Sequence, residues 1–251
     1  MMASSDGKIL LGKVALVTGA SRGIGRAIAA AYAQNGASVF ACGRNADDLG
    51  ATLREIRHAG GVIDGVAGDV SRAHDVESIV GKTVQRFGAI DVLVNNASIL
   101  GPREPIANYP LAAWDEVMQI NLTGVFLITR AVLPIMLEGK SGSIINVTSG
   151  VGRRGKARWG AYAVSKAGLE GLTQVLADEV NQAGIRVNSV NPAATRTQMR
   201  AQAYPAEDSL VLPTPDEITP VFVYLASDAS AGVTGQALEA RDWLGKATFD
   251  P

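Results

Sequence analysis

Cysteine and histidine are scarce in this chain. Cys42 is the only cysteine among 251 residues, so no disulfide can form within the chain. Proteins without disulfides are typical of reducing compartments, and we expect a cytoplasmic location. The two histidines, His58 and His74, lie in polar, helix-like segments. With one cysteine and no histidine pair, the sequence predicts no metal site.

Long apolar runs and an excess of one charge are also missing. The longest apolar stretch, GVFLITRAVLPIML, contains Arg130 and Pro134 and is shorter than the ~20 residues of a membrane-spanning helix. The opening MMASSDGKIL has no apolar signal-peptide core, so we expect no membrane partner. The formal net charge of -1 gives no general attraction to nucleic acid, which we do not expect as a partner either.

Hydrophobic residues are plentiful, at 47% of the chain, and they are arranged in alternating strand-like and helix-like segments. Several strand candidates are apolar throughout, which is typical of strands covered on both faces. The pattern predicts a single domain over 1–251 with an α/β fold: a doubly wound, Rossmann-type parallel sheet of about seven strands, with helices on both faces. The strand candidates are 14–18, 38–42, 62–68, 90–96, 142–148, 185–192 and 235–240, long helices are expected around 111–137 and 161–183, and residues 1–8 are expected to be flexible.

Three glycines, Gly19, Gly23 and Gly25, follow the first strand candidate in the stretch TGASRGIG. They could form a plain turn or a phosphate-binding turn. In a doubly wound sheet this turn faces the ligand crevice, and the amides of the following helix favour a phosphate there. The sheet context therefore favours a nucleotide phosphate.

The glycine spacing T-G-x-x-x-G-x-G, together with NNA at 95–97 and YAVSK at 162–166, resembles the short-chain dehydrogenase/reductase (SDR) family in its short, single-domain form. The stretches VGRRGKARWGAYAVSK and NPAATRTQMRAQAYPAED are similar to the YciK-like group of bacterial SDRs. The resemblance implies an oxidoreductase that transfers hydride between a nicotinamide cofactor and a small carbonyl or alcohol substrate.

The resemblance also implies four catalytic residues. Tyr162 would protonate or deprotonate the substrate oxygen, and Lys166 would lower the phenol pKa and hold the nicotinamide ribose. Ser149 would hydrogen-bond the substrate oxygen, and Asn121 would hold a water that links Lys166 to solvent. Tyr162 and Lys166 are four residues apart on a predicted helix and so share one face, which agrees with these roles.

Cofactor contacts are implied in the same way. An acidic residue that would bind the ribose of NAD is absent from the end of the second strand, where Gly43 is followed by Arg44. Arg44 and Arg22 could both bind a 2′-phosphate, so we expect NADP(H) and regard NAD(H) as the weaker alternative. The implied contacts are Gly19, Ser21, Arg22, Gly23, Ile24, Gly25, Arg44, Asn45, Asp69, Val70, Asn96, Ala97, Tyr162, Lys166, Pro192, Thr195 and Thr197.

The chain departs from the family pattern at three places. The usual NNAG is NNAS, so Ser98 must tolerate the turn, and the usual glycine after NP is Ala193. The usual C-terminal DGG is replaced by ARDWLG. Residues 198–214 correspond to the variable segment that covers the substrate.

Several alternatives stay open from the sequence. The substrate could be a 3-oxoacyl thioester on a carrier protein, or the chain could be a catalytically idle dinucleotide sensor. Four basic residues within 153–158 could form a solvated loop or a rim that attracts anionic substrates. Apolar residues of the two long helices could form intramolecular core or the interface of a homotetramer or homodimer.

Overall fold

The structure, a computed structural model, describes residues 8–246. Apart from Lys8, the segment expected to be flexible lies outside the described residues. Seven parallel strands form one sheet, and their order across it is β3-β2-β1-β4-β5-β6-β7. They are β1 (Val14–Thr18), β2 (Ser38–Gly43), β3 (Val62–Ala67), β4 (Val92–Asn95), β5 (Gly142–Val147), β6 (Ile185–Asn191) and β7 (Ala237–Glu239).

This strand order confirms the predicted doubly wound sheet. The chain runs outward from β1 to β3 and then returns to place β4 beside β1. A crevice therefore opens at the carboxyl ends of β1 and β4, where ligands bind in such sheets. Nine helices connect the strands within the described residues: α1 (Gly23–Gln34), α2 (Ala46–His58), α3 (Ala73–Phe87), α4 (Leu111–Met118), α5 (Gly124–Gly139), α6 (Gly150–Arg153), α7 (Gly160–Glu179), α8 (Gln198–Ala203) and α9 (Pro220–Ala226).

Both faces of the sheet are buried, as the apolar strands predict. Along β1, Ala15 and Val17 join one core with Tyr32 and Phe222. Leu16, which points the opposite way, joins a second core on the other face. Alternate residues of one strand thus enter two different cores, which is why β1 is apolar at every position.

The helix predicted around 111–137 is interrupted by a π-helical turn, Gln119–Thr123, between α4 and α5. Together these pieces form a continuous helical span, Leu111–Gly139, whose mean hydropathy of 1.8 and 29 residues match a membrane-spanning helix by length and composition. The span is thus longer than the interrupted apolar stretch in the sequence. Residues such as Val125, Ile128 and Val132 are buried inside the fold, as they are in a core helix that packs on a sheet.

The C-terminal stretch ARDWLG packs on the core. β7 ends at Glu239, and a 3-10 turn, Ala240–Trp243, follows it. The Trp243 ring lies 4.6 Å from the Tyr224 ring, between centroids, and is 8% exposed. The replacement for the usual glycines therefore closes one core with an aromatic pair.

Candidate functional site: a dinucleotide cavity at the carboxyl edge of the sheet

The glycine turn between β1 and α1 has no room for side chains. Gly19 has a φ of +64°, and a Cβ there would lie 2.8 Å from the Cα of Ala97. A Cβ on Gly25 would lie 2.3 Å from the Gly19 carbonyl oxygen and 2.4 Å from the Asn96 amide nitrogen. The turn therefore packs directly against the end of β4 and leaves the amides at the start of α1 open toward the crevice, as a phosphate requires.

A cavity of about 670 Å³ runs from this turn to Tyr162 on α7. Such a volume is within the range of ligand pockets in proteins. Most of the residues predicted to bind the cofactor or act in catalysis line it: Gly19, Ser21, Arg22, Gly23, Ile24, Arg44, Asn45, Asp69, Val70, Asn96, Ala97, Ser149, Tyr162, Lys166, Pro192, Thr195 and Thr197. Gly25 and Asn121 do not line the cavity. Each contacts residues that do: Gly25 packs against Gly19 and Asn96, and Asn121 bonds to Ile99.

Asn121 lies in the π-helical turn and is fully buried. Its Oδ1 accepts from the Ile99 backbone N–H at 2.9 Å, and its Nδ2 donates to the Ile99 carbonyl at 2.9 Å and to the Ser165 hydroxyl at 3.2 Å. The side-chain amide thus clamps the loop after β4 onto the helix. Both amide hydrogens are thus used within the protein, and the water implied by the resemblance stays a prediction.

Asn96 and Asp69 shape the cavity wall through bonds within the protein. The Asn96 amide donates to the carbonyls of Thr18 and Gly19, at 2.9 and 3.1 Å, and so fixes the glycine turn. The Asp69 carboxylate accepts from the backbone N–H and the hydroxyl of Ser71. Burial alone would raise the pKa of Asp69, but these bonds and the positive charge of Arg44 hold it below its usual value.

Tyr162 is 8% exposed at the inner end of the cavity. Burial raises the pKa of its phenol, and hydrogen bonds with the hydroxyls of Ser149 and Ser98 partly offset that increase. Ser149 follows β5 and Ser98 follows β4, so the two strand ends bring these hydroxyls to one phenol. At neutral pH the phenol keeps its proton, as a general acid must.

Lys166 lies one helical turn beyond Tyr162 and is 2% exposed. Its Nζ donates to the Val147 carbonyl at 2.7 Å and lies 5.7 Å from the centroid of the Tyr162 ring. Burial lowers the pKa of Lys166 to about 8, although the Glu170 carboxylate acts to raise it. In this arrangement the ammonium donates to a backbone carbonyl, and the lowering of the phenol pKa by Lys166 stays a prediction.

A family model described as short chain dehydrogenase matches residues 13–208 of the chain. The chain belongs to the short-chain dehydrogenase family. The prediction of an SDR, made from the glycine spacing and the motifs NNA at 95–97 and YAVSK at 162–166, is thus confirmed. Members of this family are oxidoreductases that bind nicotinamide dinucleotides.

Relatives and solved structures agree with this assignment. The chain is 38% identical to the oxidoreductase YciK of Escherichia coli K12, over 93% of each protein. It is 38% identical to the 3-oxoacyl-[acyl-carrier-protein] reductase FabG of Thermotoga maritima, over 91% of this chain and 96% of that protein. A short chain dehydrogenase of Shigella flexneri, crystallised in complex with NADP, superposes with a TM-score of 0.90 at 39% identity, and covers 94% of this chain and 100% of its own. The expected similarity to YciK is thus confirmed.

The cavity of this short-chain dehydrogenase includes residues that sequence reasoning missed. Gln198, at the start of α8, accepts from the Arg22 guanidinium at 2.8 Å and so holds that arginine at the cavity edge. Leu100 and Met199 form part of the apolar wall around Tyr162. Ser98 was considered only for its backbone, yet its hydroxyl bonds to the phenol. These residues come from separate segments of the chain. Their spacing in the sequence therefore does not predict that they line the same cavity.

Within residues 8–246, no group of three histidine, cysteine, aspartate or glutamate side chains is arranged to hold a metal ion.

Proposed function

We propose that this SDR is an NADP(H)-dependent reductase or dehydrogenase acting on a carbonyl or alcohol, with Tyr162 as the general acid and base. The observation that carries the proposal is one continuous cavity with a phosphate-binding turn at one end and a buried tyrosine at the other. A bound nicotinamide supplies or accepts the hydride. The chain's own residues supply the proton and hold the substrate oxygen.

Tyr162 and Ser149 are the proposed contacts to the substrate oxygen. In carbonyl reduction the phenol proton moves to the oxygen as the carbonyl carbon gains hydride, and Ser149 donates a hydrogen bond to the same oxygen. The phenol is protonated at neutral pH, because the ordinary pKa of tyrosine is about 10 and burial raises it further. Lys166 is proposed to hold the nicotinamide ribose through the Nζ donors that the Val147 carbonyl does not use.

The preference for NADP(H) rests on the end of β2. Gly43 is buried, and a Cβ there would lie 3.1 Å from the Ser21 hydroxyl, which leaves little room for an acidic side chain. Arg44 is exposed at the cavity edge, and Arg22 faces the same edge through its bond to Gln198. Two guanidinium groups beside an edge with no carboxylate at the strand end favour a 2′-phosphate. The Shigella flexneri relative complexed with NADP supports the same choice.

Arg44→Ala tests this preference. We expect kcat/KM with NADPH to fall by about ten- to a hundredfold, because a charge-assisted bond to the 2′-phosphate is lost. The value with NADH should stay nearly constant. Arg54→Ala removes an exposed arginine of α2 that does not line the cavity and is the matched control. Wild-type protein that uses NADH as efficiently as NADPH would contradict the preference.

A 3-oxoacyl thioester remains the second candidate substrate, and the relative FabG is the observation in its favour. The basic segment 153–158 supports it in part. Arg153 is paired with Glu170 at 2.8 Å and with Glu239, so its charge is neutralised. Lys156 lies over the neutral Tyr204 ring and keeps its charge, as do Arg154 and Arg158.

A reductase screen with NADPH distinguishes the candidates. It should cover ketones, aldehydes, quinones and 3-oxoacyl thioesters, with consumption of NADPH as the signal. Turnover of ketones or aldehydes supports the proposal, and turnover restricted to thioesters favours the carrier-linked alternative. Tight NADPH binding without turnover of any class would favour an idle dinucleotide sensor instead.

A further inference from the structure

Arg103, in the long loop between β4 and α4, lies in a notch between two aromatic rings. Its guanidinium carbon is 4.6 Å from the centroid of the Trp159 ring and 4.9 Å from that of the Tyr204 ring. The two rings are 6.0 Å apart, between centroids, and are tilted by 47°. Both distances to the guanidinium are within the reach of cation–π attraction. Arg103 therefore bridges two aromatic residues from different segments of the chain.

The same guanidinium is bonded to the end of α8. Its Nη1 donates to the carbonyl of Ala203, the last residue of that helix. A carbonyl at a helix C-terminus has no partner inside the helix, and a cation is favoured there. One side chain thus joins the loop after β4, the residue before α7 and the end of the helix in the variable segment 198–214.

The backbone of Arg103 is tied to the turn that carries Trp159. The Arg103 carbonyl accepts from the Arg158 Nε at 3.2 Å. Arg158 directly precedes Trp159 and has a φ of +67°, a left-handed conformation that is unfavourable for a residue with a Cβ. The bond from its side chain fixes this turn to the Arg103 loop. Main chain and side chain of Arg103 therefore act on the position of the same tryptophan.

The groups that Arg103 holds form the wall beside Tyr162. Trp159 and Ala203 line the cavity, whereas Arg103 and Tyr204 do not and lie behind them. The Trp159 ring is 6% exposed and lies 5.6 Å from the Tyr162 ring, between centroids. Within residues 8–246, no carboxylate forms an ion pair with Arg103. Its charge is thus directed to the two rings and the helix carbonyl.

We propose that Arg103 is a positioning residue that limits the length of the substrate, because it clamps Trp159 and the end of α8 into one wall beside Tyr162. The proposal rests on the proposed function, in which the carbonyl or alcohol binds next to Tyr162. Arg103 takes no part in proton or hydride transfer. With the clamp in place the pocket takes short substrates. Without it, Trp159 and α8 can separate and a longer chain fits.

The test compares Arg103→Met, Arg103→Lys and wild type in the reduction of butanal and decanal with NADPH. Methionine fills part of the notch but removes the charge and the bond to Ala203, whereas lysine keeps a cation and a donor. In Arg103→Met, kcat/KM for decanal relative to butanal should rise about three- to tenfold, mainly through KM. Arg103→Lys should lie closer to wild type. The dissociation constant of NADPH should not change.

Acrylamide quenching of tryptophan fluorescence gives a readout that needs no turnover. Trp159 is almost completely buried, so acrylamide should reach it poorly in wild type. Quenching should increase in Arg103→Met, and adding Trp159→Phe to that variant should remove the increase. Arg154→Met is the matched control, since it removes a nearby exposed arginine that does not line the cavity. It should change neither the quenching nor the ratio of the two aldehydes.

An unchanged ratio of decanal to butanal in Arg103→Met, or unchanged quenching, overturns the proposal. A loss that affects 4-carboxybenzaldehyde but not benzaldehyde also overturns it, because Arg103 would then bind a charge on the substrate. If wild type binds NADPH but reduces no carbonyl, the proposed function fails, and the quenching still decides whether Arg103 holds Trp159.

Discussion

Tyr162 and Lys166 lie one helical turn apart on α7, and both are almost completely buried. Burial favours the neutral form of each group, so the phenol pKa is raised and the pKa of Lys166 falls to about 8. The folded chain therefore keeps an acid ready for carbonyl reduction at neutral pH. The Lys166 Nζ donates to the Val147 carbonyl and keeps further donors for a bound ligand.

The buried lysine makes stability depend on pH in a defined direction. Between pH 8 and 10.5 the unfolded chain keeps a proton on Lys166 that the folded chain has released. Raising the pH through this window should therefore stabilise wild type relative to Lys166→Met, by about 3 kcal/mol in the free energy of unfolding. Urea unfolding of both proteins across the window measures the difference. If the free energies of unfolding of the two proteins change in parallel with pH, Lys166 has an ordinary pKa in the folded chain.

The sequence predicted the individual site residues that belong to a family motif. Tyr162, Ser149 and Lys166 belong to a spaced pattern, and the structure brings all three into one cavity wall. The contact of Ser98 with Tyr162 was not predictable, because it depends on how the loops after two strands approach each other. The direction of the Lys166 side chain likewise depends on the Val147 carbonyl, which spacing does not reveal.

At the scale of elements, the turn after β6 carries strain. Ala193, where glycine is usual, has a φ of +56°. Its N–H donates to the Asn191 side chain at 3.0 Å, and the Asn191 amide in turn donates to Glu239 at 2.7 Å. These bonds hold the alanine in a left-handed conformation that costs about 1–2 kcal/mol for a residue with a Cβ.

Ala193→Gly should relieve that strain. Part of the gain is offset by the greater freedom of glycine in the unfolded chain, so we expect about 0.5–1 kcal/mol more stability. Ala194→Gly is the matched control, because Ala194 lies outside the left-handed region and its replacement should destabilise. Thermal or urea unfolding of the three proteins measures both effects. If Ala193→Gly is less stable than wild type, the left-handed conformation of Ala193 is not strained.

The elements themselves were largely predictable. Two-sided burial makes the strands apolar throughout, and all seven form within a few residues of their predicted bounds. The π-helical turn was not predictable, since apolar residues continue through Gln119–Thr123 and no breaker interrupts them. Its cause is tertiary, because Asn121 bonds to the loop after β4 from inside that turn. π turns of this kind occur often at functional sites.

At the scale of the whole molecule, the long helices leave several large apolar side chains exposed. Phe126 on α5 is 45% exposed, and Val164 and Val175 on α7 are 43% and 56% exposed. Leu111 at the start of α4 is 73% exposed. These side chains are not intramolecular core, so the sequence alternative of a subunit interface is the one we propose.

The expected assembly is a homotetramer or homodimer of the 26.1 kDa chain. Phe126→Glu combined with Val175→Glu should dissociate it, because two charges would be buried in the interface. Val62→Glu alters a valine of β3, 52% exposed and outside these helices, and should leave the assembly intact. Light scattering after size exclusion gives the mass. A monomeric wild-type protein would rule out the proposal.

The central claim is that one buried phenol at the end of a dinucleotide cavity transfers the substrate proton. Tyr162→Phe removes only the hydroxyl and keeps the packing against Trp159. The decisive measurement is kcat of this variant with NADPH and the best carbonyl substrate, alongside its dissociation constant for NADPH. The account predicts a loss of about 10²–10⁴-fold in kcat with unchanged NADPH binding. A variant that keeps more than half of the wild-type turnover would contradict it.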